Sequence, residues 1–121
     1  MDESILKTVK SDLGIIDYET AFYSDILMNI NAVFSVLYQI GVGDKAVSIS
    51  LDNADITWLE AFSDNQDLID MIRTYTYMRS RIIFDPPSSS FVLDALTKQI
   101  QEYEWRIKEQ AEGGFDEPDD I

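Results

Sequence analysis

Residues 81–106 read RIIFDPPSSSFVLDALTKQIQEYEWR, and this stretch decides how the chain folds. Its two consecutive prolines fix their own φ angles, lack backbone N–H donors and push the residue before each toward an extended conformation. The serines that follow are good N-cap residues, because a hydroxyl oxygen accepts a hydrogen bond from the first helical turn. The stretch therefore predicts a helical hairpin around a structural corner. The corner residues are Asp85, Pro86, Pro87 and Ser88.

Apolar spacing outside this stretch predicts more helices and no sheet. The chain has 121 residues, of which 45% are hydrophobic, and this size suits one domain. The fold class is all-α, a small bundle of about four helices with a long C-terminal helix. The predicted helices cover residues 2–13, 19–40, 66–83 and 89–110. A single further helical turn, which begins at Asp55 or Thr57 and runs to Phe62, places Trp58 and Phe62 at one end of the core.

The predicted helices begin and end at local signals. Asp17 has the character of an N-cap for the second helix, while Gly14 ends the first and the Gly-Val-Gly break at 41–43 ends the second. The apolar stripes predict the buried faces. Their members are Ile5, Leu6, Val9 and Leu13; Phe22, Ile26, Ile30, Val33, Phe34 and Leu37; Leu68, Ile72, Tyr75, Met78 and Ile82; and Val92, Leu96, Ile100, Tyr103 and Ile107. Asn29 and Asn31 lie off their stripe, and we expect both to face solvent.

The segment after the second helix, residues 46–55, is predicted to be an extended loop. Val47, Ile49 and Leu51 alternate with serines as in a strand, but a lone strand is not stable without a partner. The alternative is a strand that pairs with a neighbouring subunit. The acidic residues at 52–55 resemble a calcium loop only superficially, since the required glycine is missing.

Composition excludes several classes of active site. The chain contains no Cys and no His, so it lacks disulfides, thiolate nucleophiles, the commonest general base and the commonest metal ligand. No glycine-rich phosphate loop occurs, and Glu102 and Glu104 diverge because they are two residues apart on a helix. We predict that the protein is not an enzyme and has no cofactor and no metal site. A magnesium site made only of carboxylates is the remaining enzymatic alternative.

Nine basic and 23 acidic residues give a net charge of −14. Such a chain repels nucleic-acid phosphate, because non-specific binding depends on Lys and Arg displacing counterions. The charge has three interpretations: solubility, a surface that must not retain DNA, or mimicry of DNA toward a basic enzyme site. No apolar run approaches the roughly 18 residues that span a bilayer, and no signal peptide is visible, so we expect a soluble protein without a membrane partner.

Six residues are candidate intersubunit or partner contacts. Arg73, Tyr77 and Arg81 recur at i, i+4 and i+8, and Arg79 shares their helix. These arginines either pair with the protein's own carboxylates or bind a neighbouring subunit, since Arg is enriched in interfaces. Trp105 lies off the main stripe and either caps the core or contacts a partner. Arg106 follows Asp94, Lys98 and Glu102 in a charged row along the last helix.

The predicted domain covers residues 1–111, and residues 112–121 are predicted to form a disordered acidic tail. The segment EGGFDEPDDI has five carboxylates and no basic residue, a composition typical of disorder. It either solubilises the protein or orders on docking, with Phe115 and Ile121 as anchors.

The FDPPSSSF corner followed by a helix that carries EYEWR resembles the head–tail connector, or head-completion adaptor, proteins of tailed phages. The resemblance is strongest over residues 75–107 and extends more loosely to the first helices and the Thr57-Trp58 turn. It implies a small α-helical ring homo-oligomer, expected to be a dodecamer, below the portal protein. It also implies a platform for the next head-completion or tail protein.

In that setting DNA passes through the ring without specific binding. The protein would lie in the virion neck, and in the host cytoplasm during assembly. A competing hypothesis from the charge is an acidic DNA mimic that inhibits a nucleic-acid enzyme.

Overall fold

The computed structural model describes residues 4–15, 23–42, 47–62 and 66–112. Within them the chain forms five α-helices, and the prediction of a small all-α bundle is confirmed. The helices are α1 (Ile5–Asp12), α2 (Tyr23–Gln39), α3 (Trp58–Phe62), α4 (Gln66–Phe84) and α5 (Ser90–Ala111), and a 3-10 turn covers Leu51–Asn53. The predictions for Asp17, Phe22 and residues 113–121 fall outside the described residues.

The helix ends follow the predicted capping chemistry. Ser89 precedes α5 and its Oγ accepts from the Val92 N–H at 3.4 Å. Thr57 and Glu60 form a reciprocal cap on α3: the Glu60 N–H donates to Thr57 Oγ1 at 3.2 Å, and the Thr57 N–H donates to Glu60 Oε1 at 2.9 Å. Gly41 follows α2 with φ +108°, a conformation that disfavours other residues.

The central element is α4, which packs against all four other helices. The hydrophobic side chains with no more than 1% exposure come from α1, α2, α4 and α5, so one core connects these helices. They are Ile5, Ile26, Ile30, Val33, Phe34, Leu37, Ile72, Tyr75 and Ile107. The predicted stripes of the first three long helices are thus buried wherever the structure describes them, apart from partly buried Leu13 and Ile82.

An aromatic cluster closes one end of the core, as predicted for Trp58 and Phe62. The Phe34 ring meets Phe62 edge-on with centroids 5.1 Å apart and lies 6.3 Å from Trp58. The buried Trp58 indole donates to Thr8 Oγ1 at 3.2 Å, so its polar N–H is satisfied by α1. A helix as short as α3 is not stable by itself, so the burial of its aromatic side chains stabilises it.

The prediction that Asn29 and Asn31 face solvent is wrong. Asn31 Nδ2 donates to the Ile49 carbonyl at 2.9 Å, and the Ile49 N–H donates to Asn31 Oδ1 at 2.7 Å. Asn29 Nδ2 donates to Ser80 Oγ at 2.7 Å, and Ser80 is fully buried on α4. Both amides flank the apolar stripe and satisfy polar groups that the core would otherwise leave unpaired.

The segment at 47–50 is an extended loop, as predicted, and no ladder forms within the described residues. The Asn31 side-chain amide makes the two hydrogen bonds to Ile49 that a neighbouring strand would otherwise make. The Ile49 side chain lies in the core and is 2% exposed. Ser50 then caps the 3-10 turn by accepting from the Asp52 N–H at 3.2 Å. An isolated bridge joins Ser4 to Thr57 and ties the chain before α3 to the start of α1.

The buried stripe of α5 is shorter than predicted. Leu96, Ile100 and Ile107 are buried and Tyr103 packs against the core, but Val92 is 45% exposed. Val92 lies in the first turn of α5, directly after the corner. No element in the described part of the chain buries its side chain there. The prediction for Val92 is wrong because periodicity identifies a helix face and not how far along the helix its neighbour extends.

We expect Asn31→Ala to lower the free energy of unfolding by about 1–3 kcal/mol, because it removes the partners of the partly buried Ile49 N–H and carbonyl. Urea denaturation followed by circular dichroism measures this change. Ser35→Ala, at an exposed position on the same helix, is the control and should stay within about 0.5 kcal/mol of wild type. Equal stability of the two variants would show that the Asn31 amide does not hold the loop.

Candidate functional site

Arg73 pairs with a carboxylate of its own chain. Its Nε lies 3.2 Å from Asp12 Oδ2 and its Nη2 lies 3.0 Å from Asp12 Oδ1. This bidentate ion pair joins α4 to α1. The side chains of Arg73 and Asp12 are 47% and 24% exposed, so solvent screens the pair. Together with Thr74 and Tyr77 they line a shallow pocket of about 280 Å³.

Arg79 belongs to a polar network in the seam between α4 and α5. The hydroxyl of fully buried Tyr75 donates to Glu104 Oε2 at 2.7 Å. Arg79 Nη1 donates to the Tyr75 oxygen at 3.1 Å and to Glu104 Oε2 at 3.4 Å. Burial, and then the hydrogen bond to Glu104, raise the pKa of Tyr75 well above its usual value.

Apolar spacing identifies Tyr75 as a member of a buried stripe and does not reveal this network. The Tyr75 hydroxyl indicates that a hydrogen-bond partner exists, because a buried tyrosine needs a polar partner. The partner could not be identified, since Glu104 is 29 positions further along the chain. The network can orient α5 on α4, and it offers no nucleophile or metal ligand set.

The other two arginines have weaker contacts. Arg81 Nε donates to the Asp85 carbonyl at 3.3 Å and so holds the corner against the end of α4. Arg106 Nη1 lies 3.9 Å from Glu102 Oε2, and its guanidinium lies 5.3 Å from the Tyr103 ring centroid. The structure does not bring the six candidate residues together: Arg73 and Tyr77 lie toward α1, Arg79 lies toward α5, Arg81 is at the corner, and Trp105 and Arg106 are on α5.

The corner at 85–88 carries a group of exposed apolar side chains. Ile83 before it is 62% exposed, and Phe91 and Val92 after it are 82% and 45% exposed. We call Ile83, Phe91 and Val92 the elbow patch. Trp105, further along α5, is 57% exposed and therefore does not cap the core. Exposed aromatic side chains of this kind are typical of contact surfaces.

Comparison with known proteins adds the decisive observation. The family model described as "Phage connector protein" matches residues 5–114, which is nearly the whole chain. The chain belongs to the phage connector protein family. This family is one of structural proteins, so the resemblance noted for the proline corner is confirmed at the level of the family. No curated protein and no solved structure matches the connector at a significant level.

Two further features concern the residues that the structure describes. In these parts of the connector, no three acidic side chains lie close enough together to bind a metal ion. Among the described helices, none has the length and apolar content of a membrane span.

We expect the stability of the connector to fall at high pH through Tyr75. The folded state keeps the Tyr75 proton, while the unfolded chain releases it above its ordinary pKa of 10.0, so raising the pH through 10 favours unfolding. The stability difference between wild type and Tyr75→Phe should therefore shrink by about 1.4 kcal/mol between pH 8 and pH 11. Urea denaturation across this range measures it.

Tyr38→Phe is the matched control for this experiment, because Tyr38 is exposed on α2. It measures how pH changes the stability of a variant that lacks an exposed tyrosine hydroxyl. A stability difference between wild type and Tyr75→Phe that does not change with pH would contradict the assignment of the high-pH loss to Tyr75.

Proposed function

We propose that this connector is a structural adaptor of a phage or prophage neck. It forms a ring below the portal, extends the DNA channel and docks the next head-completion or tail protein. The observation that carries this proposal is the family match over residues 5–114, which includes the proline corner and the long last helix. During assembly the protein is in the host cytoplasm, and afterwards it lies in the virion neck.

The internal contacts support a role as a rigid subunit. The Tyr75–Arg79–Glu104 network fixes α5 on α4, and the Arg73–Asp12 pair fixes α1 on the same helix. A ring requires every subunit to present its two contact surfaces in one constant geometry. A subunit whose helices are tied to one central helix meets that requirement.

The net charge suits a conduit for DNA. A ring of subunits with a charge of −14 each repels phosphate, so passing DNA is not retained. In this proposal DNA passes through the channel and is not bound specifically.

Among the six candidate contact residues, Trp105 is the one we favour for a partner protein. Trp105 is a large aromatic side chain that is 57% exposed on α5, and aromatic residues are enriched in protein interfaces. The tail from residue 113 onward, with Phe115 and Ile121, lies outside the described residues. Its ordering on docking stays a prediction.

The alternative of a DNA mimic has weaker support. A mimic needs carboxylates displayed in rows that match phosphates, but several carboxylates of the connector have internal partners. Asp12 pairs with Arg73, Glu60 caps α3, and Glu104 accepts from Tyr75. Capture of a DNA-binding enzyme by the purified connector, with release by competing DNA, would favour the mimic.

The adaptor is tested with the purified connector and the portal protein of the same phage or prophage. Sedimentation velocity and negative-stain microscopy should show a ring, either of the connector alone at high concentration or stacked on the portal. Mass measurement gives the subunit number, for which the family resemblance suggests a dodecamer. A connector that stays monomeric and does not bind the portal protein at any concentration would contradict the proposal.

Trp105→Ala and Gln101→Ala form a matched pair in the same assay, since both positions are exposed on α5. We expect Trp105→Ala to weaken binding to the portal or to the downstream protein by about tenfold or more, because Trp is enriched among the interface residues whose truncation costs most. Gln101→Ala should bind as wild type does. Equal binding by both variants would remove Trp105 from the contact surface.

A further inference from the structure

Exposed carboxylates lie on most of the described elements of the connector. Within the described residues, ion pairs engage the carboxylates of Asp12, Glu102, Glu104 and Glu112. Other carboxylates are exposed and have no ion pair in these parts of the chain. They lie at the start of α2, in the 3-10 turn, on α4, at the corner and on α5, and they include Asp25, Asp52, Asp67, Asp70, Asp85 and Asp94.

The exposed apolar side chains lie close in sequence to these carboxylates. Asp25 is one helical turn before Met28, which is 71% exposed. Asp85 lies between residues of the elbow patch, and Asp94 is one turn after the 82% exposed Phe91. Two copies that bury these apolar side chains against each other therefore also bring carboxylates together, which opposes the contact.

The cations of the chain are too few to compensate for this negative charge. The chain has nine basic and 23 acidic residues. Arg73, Arg79, Arg106 and Lys108 already pair with carboxylates of their own chain. A second copy adds the same excess of negative charge, so the apolar attraction between two copies has to overcome like-charge repulsion.

The range of this repulsion depends on the dissolved ions. A folded chain of 121 residues has a radius of gyration of about 14 Å. In ~10 mM monovalent salt the Debye length is about 30 Å, so the carboxylates of one copy interact with charges across the whole of a neighbouring copy. In ~150 mM salt the Debye length is about 8 Å, and only charges near the contact still repel each other.

We infer that charge repulsion controls self-association of the connector. Copies stay apart at low ionic strength, and dissolved cations permit the contact between neighbouring subunits. The control acts through the net charge of each copy and not through one acidic site. This inference rests on the proposed ring and concerns the conditions under which subunits join it.

A salt titration of the full chain, followed by sedimentation velocity, tests this control. We expect self-association to be about tenfold or more tighter in ~150 mM NaCl than in ~10 mM NaCl, because screening weakens the repulsion. Potassium acetate at the same ionic strength should have the same effect, since screening by monovalent salts depends on ionic strength and not on the identity of the ion. Self-association that is equal at both concentrations, or weaker at the higher one, would contradict the inference.

Variants without single carboxylates distinguish net charge from a local contact. Asp25→Asn, Asp52→Asn and Asp85→Asn lie on α2, in the 3-10 turn and at the corner, and each removes one charge with little change in size. In ~10 mM NaCl each should tighten self-association by a similar factor. The triple variant, with a net charge of −11 instead of −14, should associate more tightly than any single one.

The matched controls replace the same three residues with Glu, which keeps the charge, and they should associate as wild type does. Circular dichroism should show a wild-type helix content in every variant. A large effect of one Asn variant and none of the other two would overturn the inference, because it would indicate a single local site.

The outcomes separate this inference from the proposed function. Wild type and the triple Asn variant that both form rings on the portal, but stay monomeric without it at every salt concentration, would reject charge control and leave the adaptor function in place. Chains that stay monomeric with and without the portal would reject both.

Discussion

The backbone constraint at Pro86 and Pro87 determines the form of the whole subunit. Two residues with fixed φ and no N–H end α4, and the serine cap that follows starts α5 at once. Two long helices joined by so short a corner pack side by side, and each provides the other with an apolar neighbour. The remaining helices then cover the other sides of α4, so the core depends on where this corner lies.

Polar contacts give this arrangement its particular geometry. Hydrophobic burial holds the helices together but allows one helix to shift along another. A hydrogen bond between buried groups forms at only one relative position of the two helices. Tyr75 with Glu104 sets α5 on α4, Asn29 with Ser80 sets α2 on α4, and Trp58 with Thr8 sets α3 on α1. An assembly made of repeated copies needs this uniformity, because small differences between subunits would prevent closure.

The fold was largely predictable from local signals, and the contacts between helices were not. Apolar spacing and caps are contained within a few residues, so the helices, the corner and the position of Trp58 and Phe62 follow from the sequence. The partners of Asn29, Asn31 and Tyr75 are 51, 18 and 29 positions away, and nothing local marks them. The exposure of Val92 likewise depends on where a neighbouring helix stops. The sequence places three of the four candidate arginines on one helix, but their partners lie on different elements of the fold.

The amide of Asn31 has an evolutionary consequence. It supplies the donor and the acceptor that a strand neighbour would supply, and it does so from a helix that is already fixed. The loop needs this anchor and the Ile49 side chain, while the Ser48 and Asp52 side chains remain in solvent. A segment held at one point tolerates exchange of its outer residues, so the sequence of this loop can change without any change in the helices.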